Sequence, residues 1–371
     1  MASPSRRIAI LAEGHFAPME AKTAIGLLRY RSRDVVAVID SHRAGATAGE
    51  TVGAGGDIAV VGTLEAAAAR GAECLLIGIA PAGGRLPDPW RPFVEGALAR
   101  GWRVVSGLHT FLADDPALAA LARVHGGAIE DVRRPPAGLG VGLGRAAHAG
   151  ALIVLTVGTD CSVGKMTVAL EAQRELRTRG VRAAFVATGQ TGIMIAGSGV
   201  AVDAVAADFI AGSIEPLVLD AAASHDIVLV EGQGSLHHPA FSGVTLGLLH
   251  GCCPAALILC HHHGRARMRV GSSVEDDGPP LPSLATAREA YERAAAWVSP
   301  AAIVAGALNT WDTPEPAARA ACAEAEATLG VPVTDCVRFG AGGLADALCA
   351  AWAARQAATR TIERGPRATV A

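Results

Sequence analysis

The chain has 371 residues, more than a usual single domain, so two domains are expected. Hydrophobic residues make up 51% of the chain and 44 residues are glycine, whereas 4% are aromatic, a composition that excludes a disordered or fibrous protein. A formal net charge of −3 gives no basic field for nucleic acid, and the short apolar run near the N-terminus stops at Glu13, too early for a secretion signal or a membrane span.

The eight cysteines are scattered, mostly within apolar segments, and none forms a Cys-x-x-Cys pair. This pattern is typical of reduced core thiols in a cytoplasmic protein, and it predicts no structural metal site.

The first 136 residues alternate strand and helix patterns. Strands are predicted at 8–12, 35–40, 58–61, 75–80 and 104–108, with helical stretches around 20–30, 64–70, 91–100 and 116–124. Such alternation predicts a parallel sheet covered by helices, a Rossmann-like α/β domain. Asp40, at the end of the second strand, could contact a ribose, but the first strand–helix turn lacks Gly-x-Gly-x-x-Gly, so NAD binding is not expected.

Two loops of this domain leave the carboxyl ends of strands, where open α/β sheets bind ligands. Arg85 follows the fourth strand, and its planar guanidinium could clamp a carboxylate or phosphate; a solvated arginine beside a flexible turn is the alternative. His109 follows the fifth strand, as a substrate-binding residue or as a capping and packing histidine. Both residues are predicted to bind substrate.

The run Arg133-Arg134-Pro135-Pro136 marks the predicted domain boundary, because two consecutive prolines continue neither a helix nor a central strand. A second doubly wound domain is predicted over 137–354, with strands at 152–157, 183–187, 227–230, 256–259 and 302–308, and with 331–333 as the candidate for a last strand. Residues 355–371 are polar and weakly patterned, and a frayed tail is expected there.

The stretch from 152 to 179 has the layout of a phosphate-binding loop. An apolar strand breaks at Gly158, a short polar loop follows, and a helical pattern begins at Gly164-Lys165. Backbone N–H groups, the positive end of the helix and a lysine charge together predict a polyanion site. Its predicted contacts are Gly158, Thr159, Asp160, Cys161, Ser162, Val163, Gly164, Lys165, Met166 and Thr167.

The loop departs from the usual P-loop pattern in two ways. Five residues rather than four lie between its glycines, and Met166 moves Thr167 one place along the helix, a rotation of about 100°. Thr167 is therefore poorly placed to hold a metal, and nucleotide hydrolysis does not follow from the loop.

Further along the chain, polar residues follow each strand of the second domain. Gln190 and Thr191 lie in a glycine-rich turn after the second strand and are predicted to bind substrate. Asp203 and Asp208 are carboxylates among apolar neighbours, each a site residue, an N-cap or a surface charge; Asp208 is assigned to the substrate. Glu231 directly follows the third strand, where it could contact Mg²⁺ or act as a base.

Histidines follow two of these strands. His237 and His238 offer a general base, with hydrogen-bonded loop histidines as the alternative. The cluster 261–263 is not expected to bind a metal, because neighbours in an extended segment point to opposite faces. Asn309 leaves a further strand and could recognise the adenine of a cofactor.

Several of these motifs together resemble a bacterial family of two-domain proteins. The motifs are Gly-Thr-Asp-Cys-Ser-Val-Gly-Lys-Met-Thr at 158–167, Ala-Thr-Gly-Gln-Thr-Gly-Ile-Met at 187–194, Val-Glu-Gly-Gln-Gly-Ser-Leu at 230–236, and the loops at 76–85 and 105–109. The family pairs a Rossmann-like domain with a P-loop domain, and it is associated with D-glutamate N-acetyltransferase activity. The loop at 158–167 alone is also similar to that of dethiobiotin synthetase, an ATP-dependent enzyme.

The resemblance implies an N-acetyltransferase that uses acetyl-CoA and a D-amino acid. The loop at 158–167 would then hold the phosphates of coenzyme A, and one of Glu231, His237 and His238 would deprotonate the amine. A donor such as a backbone N–H or Gln233 would stabilise the oxyanion. Arg85 would bind the amino acid's carboxylate.

Two alternatives remain open at this stage. One is an ATP- and Mg-dependent kinase or ligase, in which Thr167 or Asp208 holds Mg²⁺ with Glu231. The other is a nucleotide-sensing protein without catalysis. The expected partners are a small-molecule substrate and a second copy of the chain in a homo-oligomer, with no nucleic acid and no membrane.

Overall fold

The computed structural model describes residues 7–18, 20–270 and 278–363. Within these residues the chain forms two compact units. The first comprises the residues up to Pro136 together with Gly189–Ala204, and the second comprises Ala137–Thr188 together with the residues from Val205 onward. A search of the described helices finds none with the length and apolarity needed to cross a membrane.

The first unit contains a six-stranded parallel sheet in the order β3-β2-β1-β4-β5-β6. Its strands are β1 (Ile8–Leu11), β2 (Val35–Ile39), β3 (Val60–Val61), β4 (Cys74–Ile77), β5 (Arg103–Ser106) and β6 (Ala128–Asp131). Its helices are α1 (Lys22–Tyr30), α2 (Ala48–Val52), α3 (Leu64–Ala69), α4 (Arg91–Ala99), α5 (Pro116–His125) and α7 (Gln190–Ala196). This strand order is the doubly wound Rossmann arrangement, which confirms the predicted fold class.

Local sequence explains how these elements start and stop. Helix α5 has Asp115 as its N-cap, accepting from the N–H groups of Ala117 and Leu118, and a proline at its first position. It ends at Gly126, whose φ of 71° is left-handed. The central strands β1 and β4 are buried throughout because helices cover both faces of the sheet.

The second unit contains another six-stranded parallel sheet, in the order β12-β11-β10-β7-β9-β8. Its strands are β7 (Leu152–Gly158), β8 (Ala183–Val186), β9 (Ile227–Val230), β10 (Ala256–His262), β11 (Ala302–Asn309) and β12 (Val333–Thr334). Its helices are α6 (Lys165–Thr178), α8 (Ile210–Ala222), α9 (Ser242–Cys252), α10 (Leu284–Ala295), α11 (Glu315–Leu329) and α12 (Gly342–Glu363).

Strand β7 positions the candidate site. It lies in the middle of the second sheet, between β9 and β10, and its carboxyl end opens into the loop at 158–165. The chain after β7 first builds β8 and β9 on one side and then β10, β11 and β12 on the other. Such a reversal of strand order leaves a crevice at the carboxyl ends, where doubly wound sheets bind their ligands.

The two units divide the chain after Pro136 and again at Gly189 and Ala204. The division after Pro136 coincides with an end of a first-unit segment, but Gly189–Ala204, predicted as part of the P-loop domain, cluster with the first unit. Residue 355, where a frayed tail was predicted, lies inside helix α12, which continues to Glu363. The remaining tail residues, 364–371, lie outside the described part of the chain.

Candidate active site

The loop between β7 and α6 has the backbone of an anion-binding turn. The strand ends at Gly158, and the helix begins at Lys165 after two residues with positive φ, Ser162 at 54° and Gly164 at 106°. Gly164 tolerates this conformation because it has no Cβ. The turn presents the N-terminal end of the fourteen-residue helix α6 towards the centre of the loop.

Lys165 lies inside this loop. Its side chain is 6% exposed, and its Nζ donates to the carbonyl oxygen of Asp160 at 2.7 Å. Two glycines make room for it: a Cβ at Gly158 would lie 3.1 Å from Nζ, and a Cβ at Gly232 would lie 3.1 Å from its Cδ. Burial lowers the pKa of Lys165, so a bound anion would favour its charged form.

The side chains of several other loop residues contact the surrounding fold rather than the centre of the loop. Thr159 Oγ1 lies 2.9 Å from Nδ1 of His261, whose pKa burial lowers to about 4, and Val163 joins the apolar core of the second sheet. Cys161 and Met166 are half-buried, as is Thr167, whereas Ser162 is exposed. The predicted contacts of Thr159 and Val163 with an anion would therefore come from their backbones.

Asp160 ties the loop to the segment that follows β10. Its fully buried carboxylate accepts hydrogen bonds at Oδ2 from Arg265 Nη1 at 2.9 Å and from the backbone N–H of Arg269 at 3.0 Å. Arg265 also donates to the carbonyl oxygen of Cys161 at 2.8 Å. The carboxylate therefore shapes the loop, a role that fits a buried acid better than direct contact with a phosphate.

His238 is held by both of its ring nitrogens. Nδ1 accepts from the backbone N–H of Ala240 at 3.1 Å, which leaves the hydrogen on Nε2 to donate to the carbonyl oxygen of Arg269 at 2.7 Å. The ring also stacks on Phe241 at 4.6 Å. Asp160, Cys161 and His238 have potential metal-ligand atoms within 4.8 Å of one another, but His238 Nε2 is a donor in this arrangement.

His237 differs from its neighbour. It is half-buried, and among the described residues its Nδ1 has no hydrogen-bond partner. Burial lowers its pKa, so the ring is neutral at neutral pH and can accept a proton. Of the two predicted bases, His237 is therefore the one with a ring nitrogen that the described residues leave without a hydrogen-bond partner.

Glu231 and Gln233 meet at Thr188, which follows the neighbouring strand β8. The Glu231 side chain is buried, and its Oε2 accepts from the Thr188 N–H at 2.9 Å. The Thr188 hydroxyl donates to the Glu231 carbonyl oxygen at 2.6 Å and accepts from Gln233 Nε2 at 3.2 Å. The structure thus brings two predicted catalytic residues to one edge of the sheet. Gly232, which lies between them in the sequence, is the glycine that packs against the Lys165 side chain.

Tyr291, on α10, was not anticipated from the sequence. Its hydroxyl donates to the carbonyl oxygen of Gly158 at 2.7 Å and accepts from the N–H of Leu236 at 3.1 Å. It thereby links the start of the phosphate-binding loop to the segment after Glu231. Burial raises its pKa to about 12, so the hydroxyl stays neutral. In the sequence, Tyr291 looks like any core residue of an amphipathic helix.

Asn309 is the last residue of strand β11, one position beyond the predicted end of the strand, and its side chain bonds within the turn that follows. Its Oδ1 accepts from the N–H of Trp311 at 3.3 Å. The indole of Trp311 is 57% exposed and donates from Nε1 to His262 at 3.2 Å. An exposed indole at the carboxyl end of a strand can stack on an aromatic base. Adenine recognition at this position stays a prediction.

The other predicted substrate residues are distributed between the two units. In the first unit, His109 and Gln190 both contact Arg133, at 3.3 Å and 2.8 Å. Thr191 Oγ1 lies 2.8 Å from Thr23 Oγ1 on helix α1. Arg85 is exposed.

Two carboxylates complete this set. Asp203, in the first unit, forms an ion pair with Arg133. Asp208, in the second unit, is exposed in a short helical turn at Ala207–Phe209. Arg133, which the sequence marked only as a boundary residue, is therefore the centre of the first-unit cluster.

The fold and the loop define a two-domain α/β protein in which a Rossmann-like sheet precedes a P-loop sheet. Family models match both parts: "Domain of unknown function (DUF1611_N) Rossmann-like domain" over residues 41–135, and "Domain of unknown function (DUF1611_C) P-loop domain" over residues 140–345. The chain belongs to the DUF1611 family.

Three relatives are similar to the chain over most of its length. It is 43% identical over 333 residues to a D-glutamate N-acetyltransferase of Tritonibacter scottomollicae, covering 90% of this chain and 95% of that protein. It is 40% identical over 285 residues to a D-glutamate N-acetyltransferase of a Pseudoalteromonas species, covering 76% and 83%. A crystal structure of a DUF1611 family protein from Anabaena variabilis superimposes with a TM-score of 0.87 at 41% identity, covering 93% and 99%.

Proposed function

We propose that the protein is an amino-acid N-acetyltransferase that acetylates the amino group of D-glutamate. The observation that carries this proposal is the similarity, at 40–43% identity and over most of the chain, to two relatives named for that activity. The family membership and the closely similar fold of the Anabaena variabilis protein support it.

Acetyl-CoA is the proposed acetyl donor, and the loop at 158–167 its phosphate site. The residues fit a polyanion: a glycine-lined turn presents the N-terminal end of α6, and the ammonium of Lys165 is buried beside it. Binding of coenzyme A phosphates at this loop requires no hydrolysis, so the unusual position of Thr167 is no obstacle. When bound, the donor supplies an activated acetyl thioester.

The second unit supplies the groups that acetyl transfer needs. The buried carboxylate of Glu231 attracts the substrate ammonium, and His237 accepts its first proton. The free amine then attacks the thioester carbonyl carbon, a C–N bond forms and the C–S bond breaks. The nitrogen loses its second proton in this step, and that proton passes to the leaving thiolate, which departs as the thiol of coenzyme A. The Gln233 amide has a second hydrogen for the oxyanion beside the one donated to Thr188.

The test measures both products. Purified protein is incubated with acetyl-CoA and D-glutamate, with L-glutamate in parallel, and coenzyme A thiol and N-acetylglutamate are quantified by absorbance and chiral mass spectrometry. We expect stoichiometric release of thiol and N-acetyl-D-glutamate. Release of ADP from Mg-ATP that EDTA abolishes, without acetylation, would overturn the proposal in favour of a kinase or ligase; nucleotide binding without turnover would favour a sensor.

The loop assignment is tested by Lys165→Ala, with Arg174→Lys on the same helix as the matched control. Loss of a charge-assisted contact worth about 1.5–3 kcal/mol should raise the KM for acetyl-CoA roughly 10- to 150-fold in Lys165→Ala. Arg174 has a side chain 66% exposed and pairs with Glu171, and its replacement by lysine keeps the charge, so Arg174→Lys should leave this KM nearly unchanged. An unaltered KM in a folded Lys165→Ala protein would move the donor site away from the loop.

Two broader expectations are part of the proposal. None of the eight cysteines forms a disulfide in the described chain, which supports a reducing, cytoplasmic location. A homo-oligomer is the expected assembly, and light scattering after size exclusion measures it directly.

A further inference from the structure

Arg133 is a buried cation in the first unit. It follows strand β6, and its side chain is 4% exposed. Nη1 donates to Gln190 Oε1 at 2.8 Å, and Nη2 donates to His109 Nδ1 at 3.3 Å. Asp203, with a side chain 37% exposed, is its carboxylate partner. Among the described residues, its Nε has no acceptor. We call Arg133, His109, Gln190 and Asp203 the Arg133 cluster.

The hydrogen bonds of Arg133 determine how its neighbours are oriented. A guanidinium has donors only, so Gln190 must turn its carbonyl oxygen, and His109 a nitrogen lone pair, towards Arg133. The amide NH₂ of Gln190 therefore points away from the guanidinium. The neutral ring of His109 carries its hydrogen on Nε2, on the far side of the ring.

His109 is consequently a donor rather than a base. Burial and the neighbouring Arg133 both lower its pKa, which keeps the ring neutral at neutral pH. Its only lone pair is directed at Arg133, so proton uptake at Nδ1 would set two cationic groups against each other. The residue as a whole is nevertheless exposed, so a ligand can reach it.

Glycines hold both donors in place. A Cβ at Gly84 would lie 2.2 Å from the ring of His109, and a Cβ at Gly107 would lie 2.9 Å from Cγ of Gln190. The His109 ring therefore packs directly against the backbone of Gly84, in the loop after β4, and the Gln190 side chain packs against that of Gly107, directly after β5. This packing limits the orientations that either donor can adopt.

We propose that the Arg133 cluster is a carboxylate-binding site, in which the N–H groups of His109 and Gln190 bind a carboxylate of the acceptor amino acid. A buried guanidinium with one partly exposed carboxylate partner supplies the positive field, and the two oriented donors supply the hydrogen bonds. Arg133 is a positioning residue that acts through His109 and Gln190. The choice of D-glutamate as the ligand rests on the proposed function; the anion preference does not.

The first experiment measures binding without chemistry. Glutarate, a dicarboxylate without an amine, is titrated calorimetrically into the full-length protein, with its diamide as the uncharged control. We expect glutarate to bind and the diamide not to bind. Binding should weaken roughly tenfold in His109→Ala and in Gln190→Ala, each of which removes one hydrogen bond to a charged group. Arg134→Lys, an exposed neighbour paired with Asp114, is the matched control and should bind as the wild type does.

The second experiment separates positioning from folding. In acetyl transfer, Arg133→Lys should raise the KM for D-glutamate with little change in the KM for acetyl-CoA, because lysine keeps the charge but cannot orient two acceptors. The preference for D-glutamate over D-glutamine should fall in the same variant. Asp203→Asn removes the competing carboxylate, so its KM for D-glutamate should be equal or lower.

The outcomes distinguish this inference from the proposed function. Unchanged glutarate affinity in folded His109→Ala and Gln190→Ala proteins would overturn the carboxylate site even if acetylation of D-glutamate is confirmed. A wild-type protein that binds glutarate through these residues but acetylates nothing would keep the site and refute the activity. If Arg133→Lys fails to fold, the glutarate affinities of His109→Ala and Gln190→Ala still test the carboxylate site.

Discussion

The adjacent residues His237 and His238 differ in what their ring nitrogens do. His238 donates and accepts within the fold, whereas His237 has a buried Nδ1 without a partner among the described residues. Removal of His238 should therefore leave the carbonyl oxygen of Arg269 and the N–H of Ala240 unpaired and cost about 1–3 kcal/mol of unfolding free energy. Removal of His237 should instead lower the rate of catalysis and leave the unfolding free energy nearly unchanged.

We expect His237→Gln to lower kcat about 100-fold or more with little change in melting temperature, since general bases contribute about 10²–10⁴. Because burial depresses the pKa of His237, its base form persists below its ordinary pKa of 6.5. The acid limb of kcat/KM should therefore lie below pH 6.5, with activity lost as pH falls through the depressed pKa. Assays of kcat/KM from pH 4.5 to 9 measure this limb, and an acid limb unchanged in residual His237→Gln activity would exclude the assignment.

At the scale of elements, helix α10 is tied to the candidate site of the second sheet through the hydroxyl of Tyr291. Tyr291→Phe would leave the carbonyl oxygen of Gly158 and the N–H of Leu236 without this partner. Such a loss costs about 1–3 kcal/mol, and the looser loop should also raise the KM for acetyl-CoA. Thermal melts and steady-state kinetics measure the two effects.

The control for Tyr291→Phe lies on the same helix. Arg293 has a side chain 73% exposed and pairs with Glu289 on the surface. Such pairs contribute about 0–1 kcal/mol, so Arg293→Lys should change neither the melting temperature nor the KM. A Tyr291→Phe protein as stable and as active as this control would show that the hydroxyl link is dispensable.

The strands show what sequence patterns could and could not predict. Apolar β-branched runs such as those of β7 and β9 place a central strand to within a residue, because both faces of a parallel sheet are buried. Strand β6 was not predicted, since two of its four residues, Ala128–Asp131, are acidic and none is fully buried at the sheet edge. The short helix α2 was not predicted either, although the capping box formed by Thr47 and Glu50 marks its start in the sequence.

The residues of the candidate site likewise fall into those that sequence patterns could identify and those that only the fold brings together. A loop contiguous in sequence, 158–167, was recognisable from its spacing, as was Glu231 from the strand before it. Arg133 was not, because its partners His109, Gln190 and Asp203 lie 24, 57 and 70 positions away and only the fold brings them together. The two histidines at 237 and 238 were indistinguishable until their hydrogen bonds were known.

At the scale of the whole molecule, the first unit is assembled from two distant parts of the chain. Helix α7 follows strand β8 of the second sheet, but it clusters with the first unit and contributes Gln190 and Thr191 to it. Arg31 of the first unit also donates from Nη1 to the carbonyl oxygen of Met194 on this helix, at 2.9 Å. The stability of α7 should therefore follow the first sheet rather than its sequence neighbours.

Native-state hydrogen exchange measures this dependence when each sheet is weakened in turn. Leu11→Ala in β1 and Leu155→Ala in β7 each remove a fully buried side chain, at a cost of about 2–5 kcal/mol. Leu11→Ala should accelerate exchange of the α7 amides along with those of β1, while the α8 amides keep their protection, because local opening follows cooperative units. Leu155→Ala should do the reverse. If α7 instead opened with α8 in both variants, residues 189–204 would behave energetically as part of the second unit, and the hydrogen bonds from Arg133 and Arg31 would contribute little to holding the helix in place.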